Sequence, residues 1–416
     1  MITERKSEII QEKVLPLVKR YLKDHVENYT IEIENASKPG DSWLGLMYNI
    51  TIRDHRGDGK TILHVIAKMA PVQGPYRELL SVREIYCREI FVYDEVIPHF
   101  LKLLEDKGLR NTFCPFAKKY ITTKNSCGET IVMENMKEKG FKSYHHRVLT
   151  DYSHAQLIMK ELGRFHALSY ALRDQNPKVY QHLEENCQES FLNTSIYESA
   201  IGIITTLGKA VLDTYDPIQD QREFEALKKS LQNASSALKP LFMEETYGKH
   251  SVINHGDPQI RNILFKYEDP VQTDLPTELC LIDWQLSRVA SPVLDIQFFL
   301  CASTDKALRE CQYENLVQDY YQSLSSFLRQ LGSDPDVLIP FEILQRDLKN
   351  CGAFALYLSI WVLALNMKEN ENIPDLYNNN LTKEMIIKQF TEVPNEAYIQ
   401  NIRNIVSDFI KYEYNF

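Results

Sequence analysis

Apolar positions along this chain change their spacing near Met136, and the change separates a strand-rich first third from a helix-rich remainder. From Glu4 to Tyr21 the residues Ile9, Ile10, Val14, Leu15, Val18 and Tyr21 recur at helical spacing, which predicts an amphipathic leading helix. Three strand-like runs follow, Tyr29 to Asn35, Leu44 to Asp54 and Thr61 to Met69. Ile50 and Ile52, and then Ile62, His64, Ile66 and Lys68, show the period of two expected of strands. Arg56-Gly57-Asp58-Gly59-Lys60, between the last two runs, is a hairpin-turn signal. From Arg83 to Leu104 the pattern is helical, with a break expected around Pro98. Phe116 to Thr122 and Glu129 to Asn135 predict two further strands, joined by the turn-like Lys124 to Gly128. Beyond Met136 long helical patterns dominate: Ser153 to Ser169, Ser195 to Asp213, Glu223 to Met243, Leu294 to Cys301, Gln312 to Leu331, Phe341 to Met367 and Ala397 to Tyr412.

This order predicts an α+β chain with a small antiparallel-sheet lobe over residues 1–135 and a large helical lobe over 136–416. The helical run ending at Met367 includes an uncharged stretch from Cys351. It is shorter than the roughly 20 residues a spanning helix needs, so a buried core helix is expected and no membrane partner. Tyr357 and Trp361 within it suit either an apolar pocket or core packing.

Composition narrows the function. A formal net charge of −10 argues against nucleic acid as a partner, because phosphate backbones call for clustered Lys and Arg. It leaves a nucleotide site open, since that needs only a few local cations. The eight cysteines form no C-x-x-C pair and no zinc-like spacing, and the N-terminal stretch lacks the apolar core of a signal peptide. A cytoplasmic protein is the expectation.

The candidate chemistry is concentrated in His255-Gly256-Asp257-Pro258-Gln259-Ile260-Arg261-Asn262 and in Asp283, which ends the apolar run Leu279-Cys280-Leu281-Ile282. An Asp, an Asn five positions on and a second Asp at a strand end is how kinase-type enzymes assemble a phosphoryl-transfer site. In that pattern Asp257 meets the acceptor hydroxyl, while Asn262 and Asp283 hold Mg²⁺ against the phosphates of ATP. Lys68, ending Val65-Ile66-Ala67-Lys68, is the candidate phosphate-pairing cation, and Glu89 the carboxylate that holds it, with Glu84 and Glu78 as replacements. The turn at Lys38 to Gly45, with Gly40, Asp41 and Ser42, is placed to cover the phosphates with backbone N–H groups. Where the fifth strand crosses to the helical part, Glu134 and Met136 are placed to meet an adenine. His166 reads as a packed core histidine, His255 as a buttress of the Asp257 loop, and Asp295 as a carboxylate that either orients that loop or serves its own helix start.

Taken together these residues resemble a known family. The set Gly40-Asp41 with Leu44 and Met47-Tyr48, Lys68, Glu89 with Tyr93 and Pro98, and Met133-Glu134 with Lys139-Gly140-Phe141 carries the first half of the resemblance. Phe165-His166-Ala167-Leu168-Ser169, His255-Gly256-Asp257 with Asn262-Ile263-Leu264-Phe265, and Ile282-Asp283-Trp284-Gln285 with Ser291-Pro292 and Asp295-Ile296 carry the second. The pattern is similar to the insect ecdysteroid kinase-like family, whose CHK-like kinase domain is related to choline and aminoglycoside kinases. The resemblance implies the two-lobed protein-kinase-like fold and ATP-dependent phosphorylation of a hydroxyl on a small molecule, ecdysteroids and hydroxylated foreign compounds among them. One departure stands out: Pro258-Gln259 occupies the place where members commonly carry an apolar or aromatic pair, often with Trp.

The expectation is therefore a small-molecule O-kinase using ATP and Mg²⁺. The alternative is a catalytically silent nucleotide- or small-molecule-binding protein on the same fold. A protein kinase is disfavoured, because Asp283 is followed by Trp284-Gln285 and neither Asp-Phe-Gly nor Ala-Pro-Glu follows Asn262.

Overall fold

Strand periodicity sets up the first layer. The structure, a computed structural model, describes residues 16, 18–20, 29–36, 45–54, 61–72, 74–145, 149–188, 195–242, 248–269, 274–368 and 382–416. Of the expected leading helix only 16 and 18–20 are described, and these are helical. The expected hairpin turn at 56–60 lies outside the described residues.

Strands β1 (Tyr29–Asn35), β2 (Leu46–Asp54), β3 (Thr61–Met69), β4 (Lys119–Thr123) and β5 (Thr130–Glu134) form one antiparallel sheet in the order β1-β2-β3-β5-β4. The register pairs Tyr48 with Ala67 and Ile50 with Val65, so these side chains share one face. They are buried there with Ile52, Met69, Val132 and Val18. By the same alternation Met47, Ile66 and Lys68 fall on the opposite face. The fourth strand begins later than its apolar pattern suggested. Phe116 instead makes an isolated parallel bridge to Leu281, which ties the sheet's rim to the helical part.

Helix α1 (Val82–Phe91) continues through a π-helical turn, Val92–Val96, into α2 (Ile97–Asp106). The break expected at Pro98 is thus a change of winding. Pro98, which brings no N–H, lies just after the π turn where the winding changes.

The rest of the chain is mostly helical: α3 (Tyr152–Gln175), α4 (Pro177–Asn186), α5 (Ser195–Leu212), α6 (Gln221–Gln232), α7 (Val293–Ser303), α8 (Lys306–Gln330), α9 (Phe341–Asn350), α10 (Gly352–Asn366), α11 (Lys383–Thr391) and α12 (Glu396–Lys411). Single-turn helices are left unlabelled. Gly163 sets the closest approach of α3 and α8, since a Cβ there would lie 2.5 Å from the Tyr320 carbonyl oxygen. The single run expected from Phe341 to Met367 is two helices bent by 52° at Cys351. Most of α10 is buried, and Tyr357 is core, its hydroxyl paired with Ser230. No single described helix is long and apolar enough to cross a membrane.

Five short strands interrupt the helices and carry the candidate chemistry. β7 (Val252–Asn254) pairs with β10 (Arg288–Ala290), while β8 (Ile263–Tyr267) lies between β6 (Lys142–Ser143) and β9 (Pro276–Leu281).

Candidate active site

Strand β3 aims Lys68 off the sheet and helix α1 brings Glu89 up to meet it. Lys68 Nζ donates to Glu89 Oε2 at 2.7 Å and to Asp283 Oδ1 at 2.9 Å. One ammonium therefore joins the sheet, the helix beside it and the loop after β9. Lys68 and Glu89 are buried, while the Asp283 side chain keeps 35% of its surface exposed. Burial pulls the Lys68 pKa down, but the carboxylates of Asp283 and Glu89 outweigh it and raise it above the ordinary lysine value. Burial pushes the Glu89 carboxyl up to about 7, against the pull of Lys68. Glu84 and Glu78, the sequence alternatives for this partner, are not the residues that meet Lys68.

Asp283 sits in the left-handed region, at φ 67° and ψ 71°, a conformation a non-glycine residue holds only where its surroundings enforce it. The enforcing element is Trp284. It is fully buried and packs on His255, Phe165 and Phe116, with ring centroids 4.6, 5.3 and 5.8 Å away.

The loop bearing Asp257 leaves β7 through His255 and Gly256. A Cβ at Gly256, where φ is +85°, would stand 1.9 Å from the Leu286 carbonyl oxygen, so only glycine lets the two loops touch. Asp295, in the first turn of α7, holds the turn from beneath. Its Oδ2 accepts from the His255 N–H at 2.6 Å and its Oδ1 from the Gly256 N–H at 2.9 Å. Despite burial, His166 and these amides keep Asp295 below the ordinary carboxylate range. His166 lies 3.1 Å from that Oδ2 and 2.7 Å from the Tyr320 hydroxyl, a packed core position. His255 Nε2 must donate to the Ile282 carbonyl at 3.0 Å, which leaves Nδ1 to accept from the Asp257 N–H at 3.3 Å. That tautomer is neutral, consistent with burial holding the imidazole's pKa down.

Asp257 is thereby presented beside Asn262, whose Nδ2 donates to the Asp257 carbonyl at 3.0 Å and to its Oδ2 at 2.8 Å. Burial pushes the Asp257 carboxyl up to about 6, opposed by hydrogen bonds from Gln259 and Asn262 and by the charge of Arg288, and assisted by Asp283.

These residues converge on one cavity of about 510 Å³ between the sheet and the helical part, lined by Lys68, Glu89, Asp257, Asn262 and Asp283 together with Glu134 and Met136. At the crossing from β5, the Glu134 N–H donates to the Lys118 carbonyl and the Met136 carbonyl accepts from the Phe141 N–H. The Glu134 carboxylate is pinned by Lys139 at 2.8 Å, away from any role as a free acid. Apolar Ile66 and Leu264 supply walls on which a flat ring can stack.

The donor set fits a hard divalent cation. Asn262 spends its N–H₂ on Asp257 and so turns its Oδ1 away as an oxygen ligand, and Asp283 uses only Oδ1 on Lys68. Among the described residues no three His, Cys, Asp or Glu side chains are arranged to hold a metal ion by themselves, so a metal here would draw most of its ligands from phosphate and water, as Mg²⁺ commonly does. Gly40, Asp41 and Ser42, the expected phosphate-covering turn, lie outside the described residues.

Three residues that line the site were given no role from the sequence. Gln259 donates through Nε2 to both Asp257 oxygens, at 2.8 and 2.9 Å. Asn366, about a hundred positions away, donates to Gln259 at 2.6 Å, and Arg261 donates to Asn366 at 3.0 Å. Only the unusual Pro258-Gln259 pair hinted at them.

The ecdysteroid kinase-like family matches the chain over residues 39–333, 295 of its 416 residues. No curated protein sequence matches. Among solved structures, an ethanolamine kinase from Plasmodium vivax aligns at 16% identity over 93% of this chain and 84% of its own, with a TM-score of 0.37. The GDP complex of wild-type aminoglycoside 2′-phosphotransferase-IIIa aligns at 12% identity over 95% and 96%, with a TM-score of 0.41. A glucosamine kinase aligns at 9% over 95% and 83%, with a TM-score of 0.35.

Proposed function

The chain belongs to the ecdysteroid kinase-like family, and from that premise we propose that it is an ATP-dependent O-kinase acting on a hydroxyl of an ecdysteroid or another hydroxylated small molecule. The observation that carries this reading is the junction at Lys68. One buried cation bridges Glu89 and Asp283, in the same cavity where Asn262 grips Asp257. A fold has little reason to gather three carboxylates and a lysine around a cleft unless a charged ligand enters it.

In this reading the adenine lies between Ile66 and Leu264 and meets the Glu134 carbonyl and the Met136 N–H. Lys68 pairs the phosphates, and Glu89 holds Lys68 in place. Asn262 and Asp283 would hold Mg²⁺, which when bound neutralises charge on the phosphates. Asp257 receives the hydrogen bond of the acceptor hydroxyl. The acceptor oxygen bonds to the γ-phosphorus as the bond to the bridging oxygen of ADP breaks, and the hydroxyl proton passes to Asp257. The rate gain comes from positioning and from fixed charges. Eight free cysteines suit a reducing compartment, and the cytoplasm is the proposed location.

The acceptor class is tested by a labelled-ATP screen over hydroxylated steroids, cholines and plant phenolics. Transfer to a steroid or phenolic hydroxyl supports the reading; saturable ATP·Mg²⁺ binding with no transfer to any acceptor favours a silent binding protein. One observation speaks for that second reading, since Gln259 already occupies both oxygens of Asp257.

A further inference from the structure

We propose that Gln259 is a positioning residue for phosphoryl transfer, setting the plane of the Asp257 carboxylate through a side-chain relay that starts at Arg261 and passes through Asn366. The inference rests on the proposed role of Asp257 at the acceptor hydroxyl.

The direction of every bond in the relay is dictated by its charged ends. A guanidinium can only donate, so the Asn366 atom 3.0 Å from Arg261 Nη1 is Oδ1. The Asn366 amide nitrogen then faces Gln259 and donates to Oε1 at 2.6 Å. That fixes Gln259 with its own nitrogen toward Asp257, where it reaches Oδ1 at 2.8 Å and Oδ2 at 2.9 Å. Asn262 touches the same carboxylate at 2.8 Å. Two amides thus clamp one carboxylate, and aligned amide dipoles in a partly buried chain reinforce each other.

Placement makes the clamp consequential. Asn366 is the last residue of α10, a helix buried along most of its length, so the relay anchors the Asp257 loop to a rigid element. Asp257, Gln259, Arg261 and Asn366 all line the cavity. The relay therefore forms part of the wall against which an acceptor must sit.

The test exchanges a single group. Asn366→Asp keeps the acceptor that Arg261 needs and removes the donor that Gln259 needs, at nearly constant volume. Crystal structures of the wild type and of Asn366→Asp are expected to show Gln259 withdrawn from Asp257 in the variant. Gln259→Leu, a change at a half-buried side chain, provides the second variant, in which the Asp257 carboxylate is expected to rotate. In kinetics each variant is expected to lose about tenfold in kcat with KM for ATP unchanged, the signature of misplacement rather than lost binding. Because Asn366 acts through Gln259, the double variant should be no slower than Gln259→Leu alone. Gln259 unmoved in the Asn366→Asp structure, or losses that multiply in the double variant, would overturn the relay. Should no acceptor be turned over by the wild type, the kinase reading falls, and the crystal structures still decide the relay.

Discussion

Lys68 holds two carboxylates of different character, and that difference predicts how each behaves when removed. Asp283 is partly exposed at the cleft, so Asp283→Asn takes a charge from the proposed metal site while leaving the core intact. Calorimetry should show ATP affinity in Mg²⁺ falling by about tenfold or more, about 1.4 kcal/mol, and unchanged affinity would refute the metal assignment. Lys68→Met should fold, because Glu89 is already pushed toward its neutral form by burial and can take a proton when its partner leaves. Its turnover should drop by about 10²-fold, and normal turnover would remove Lys68 from the phosphates. Gly256→Ala forces a Cβ onto the Leu286 carbonyl at positive φ, so denaturant unfolding should register a loss of about 1–3 kcal/mol or more. At this scale the sequence was informative where chemistry and spacing coincide, as at Lys68, Glu89, Asp257, Asn262 and Asp283, which the fold brings to one cavity. Gln259 and Asn366 were not legible, because a contact between residues 107 positions apart leaves no local periodic mark.

Elements are joined by charge as well as by apolar packing. Glu129, fully buried at the entrance to β5, accepts from Arg77 at 2.6 Å and from Arg83 on α1 at 2.9 Å. Burial pushes its carboxyl up, but the two guanidinium groups prevail and hold it below the ordinary value of 4.5. A carboxylate whose folded pKa is depressed contributes stability above its unfolded pKa and loses that contribution as pH falls through the folded one. Glu129→Gln should therefore cost about 1–3 kcal/mol at pH 7, and the gap to wild type should narrow as the pH is lowered below about 4.5. A gap independent of pH would show that the triad contributes through shape alone. Periodicity located most elements but misjudged their joints. Pro98 marked the place of one joint but not its form, a π turn just before it, while the 52° bend at Cys351 occurs inside an unbroken helical pattern. A bend that preserves the buried face lets the hydrophobic pattern run through it without a signal. α4 and α11 are short amphipathic helices that the pattern did not single out.

At the scale of the whole molecule, the sheet and the helical part meet around the cavity, with the Lys68–Asp283 contact spanning it. A ligand that binds only the folded state stabilises it by mass action, about 2.7 kcal/mol at a hundred times Kd. ATP with Mg²⁺ should raise the unfolding temperature more than ATP alone, and an equal rise in both would speak against a metal-assisted site. The overall architecture, strands before helices and an acidic chain with a nucleotide-type motif, was legible because each rests on order and composition. The cavity wall of Gln259, Arg261 and Asn366 was not, since it is made by side chains that only the folded chain assembles. The central claim is that Asp257 serves the acceptor and not the nucleotide. The most direct measurement compares Asp257→Asn with wild type in ATP·Mg²⁺ affinity and in transfer to the acceptor found by screening. The account predicts affinity within about twofold and transfer reduced by roughly 10²-fold or more. Loss of nucleotide binding as severe as in Asp283→Asn, or full transfer, would contradict it.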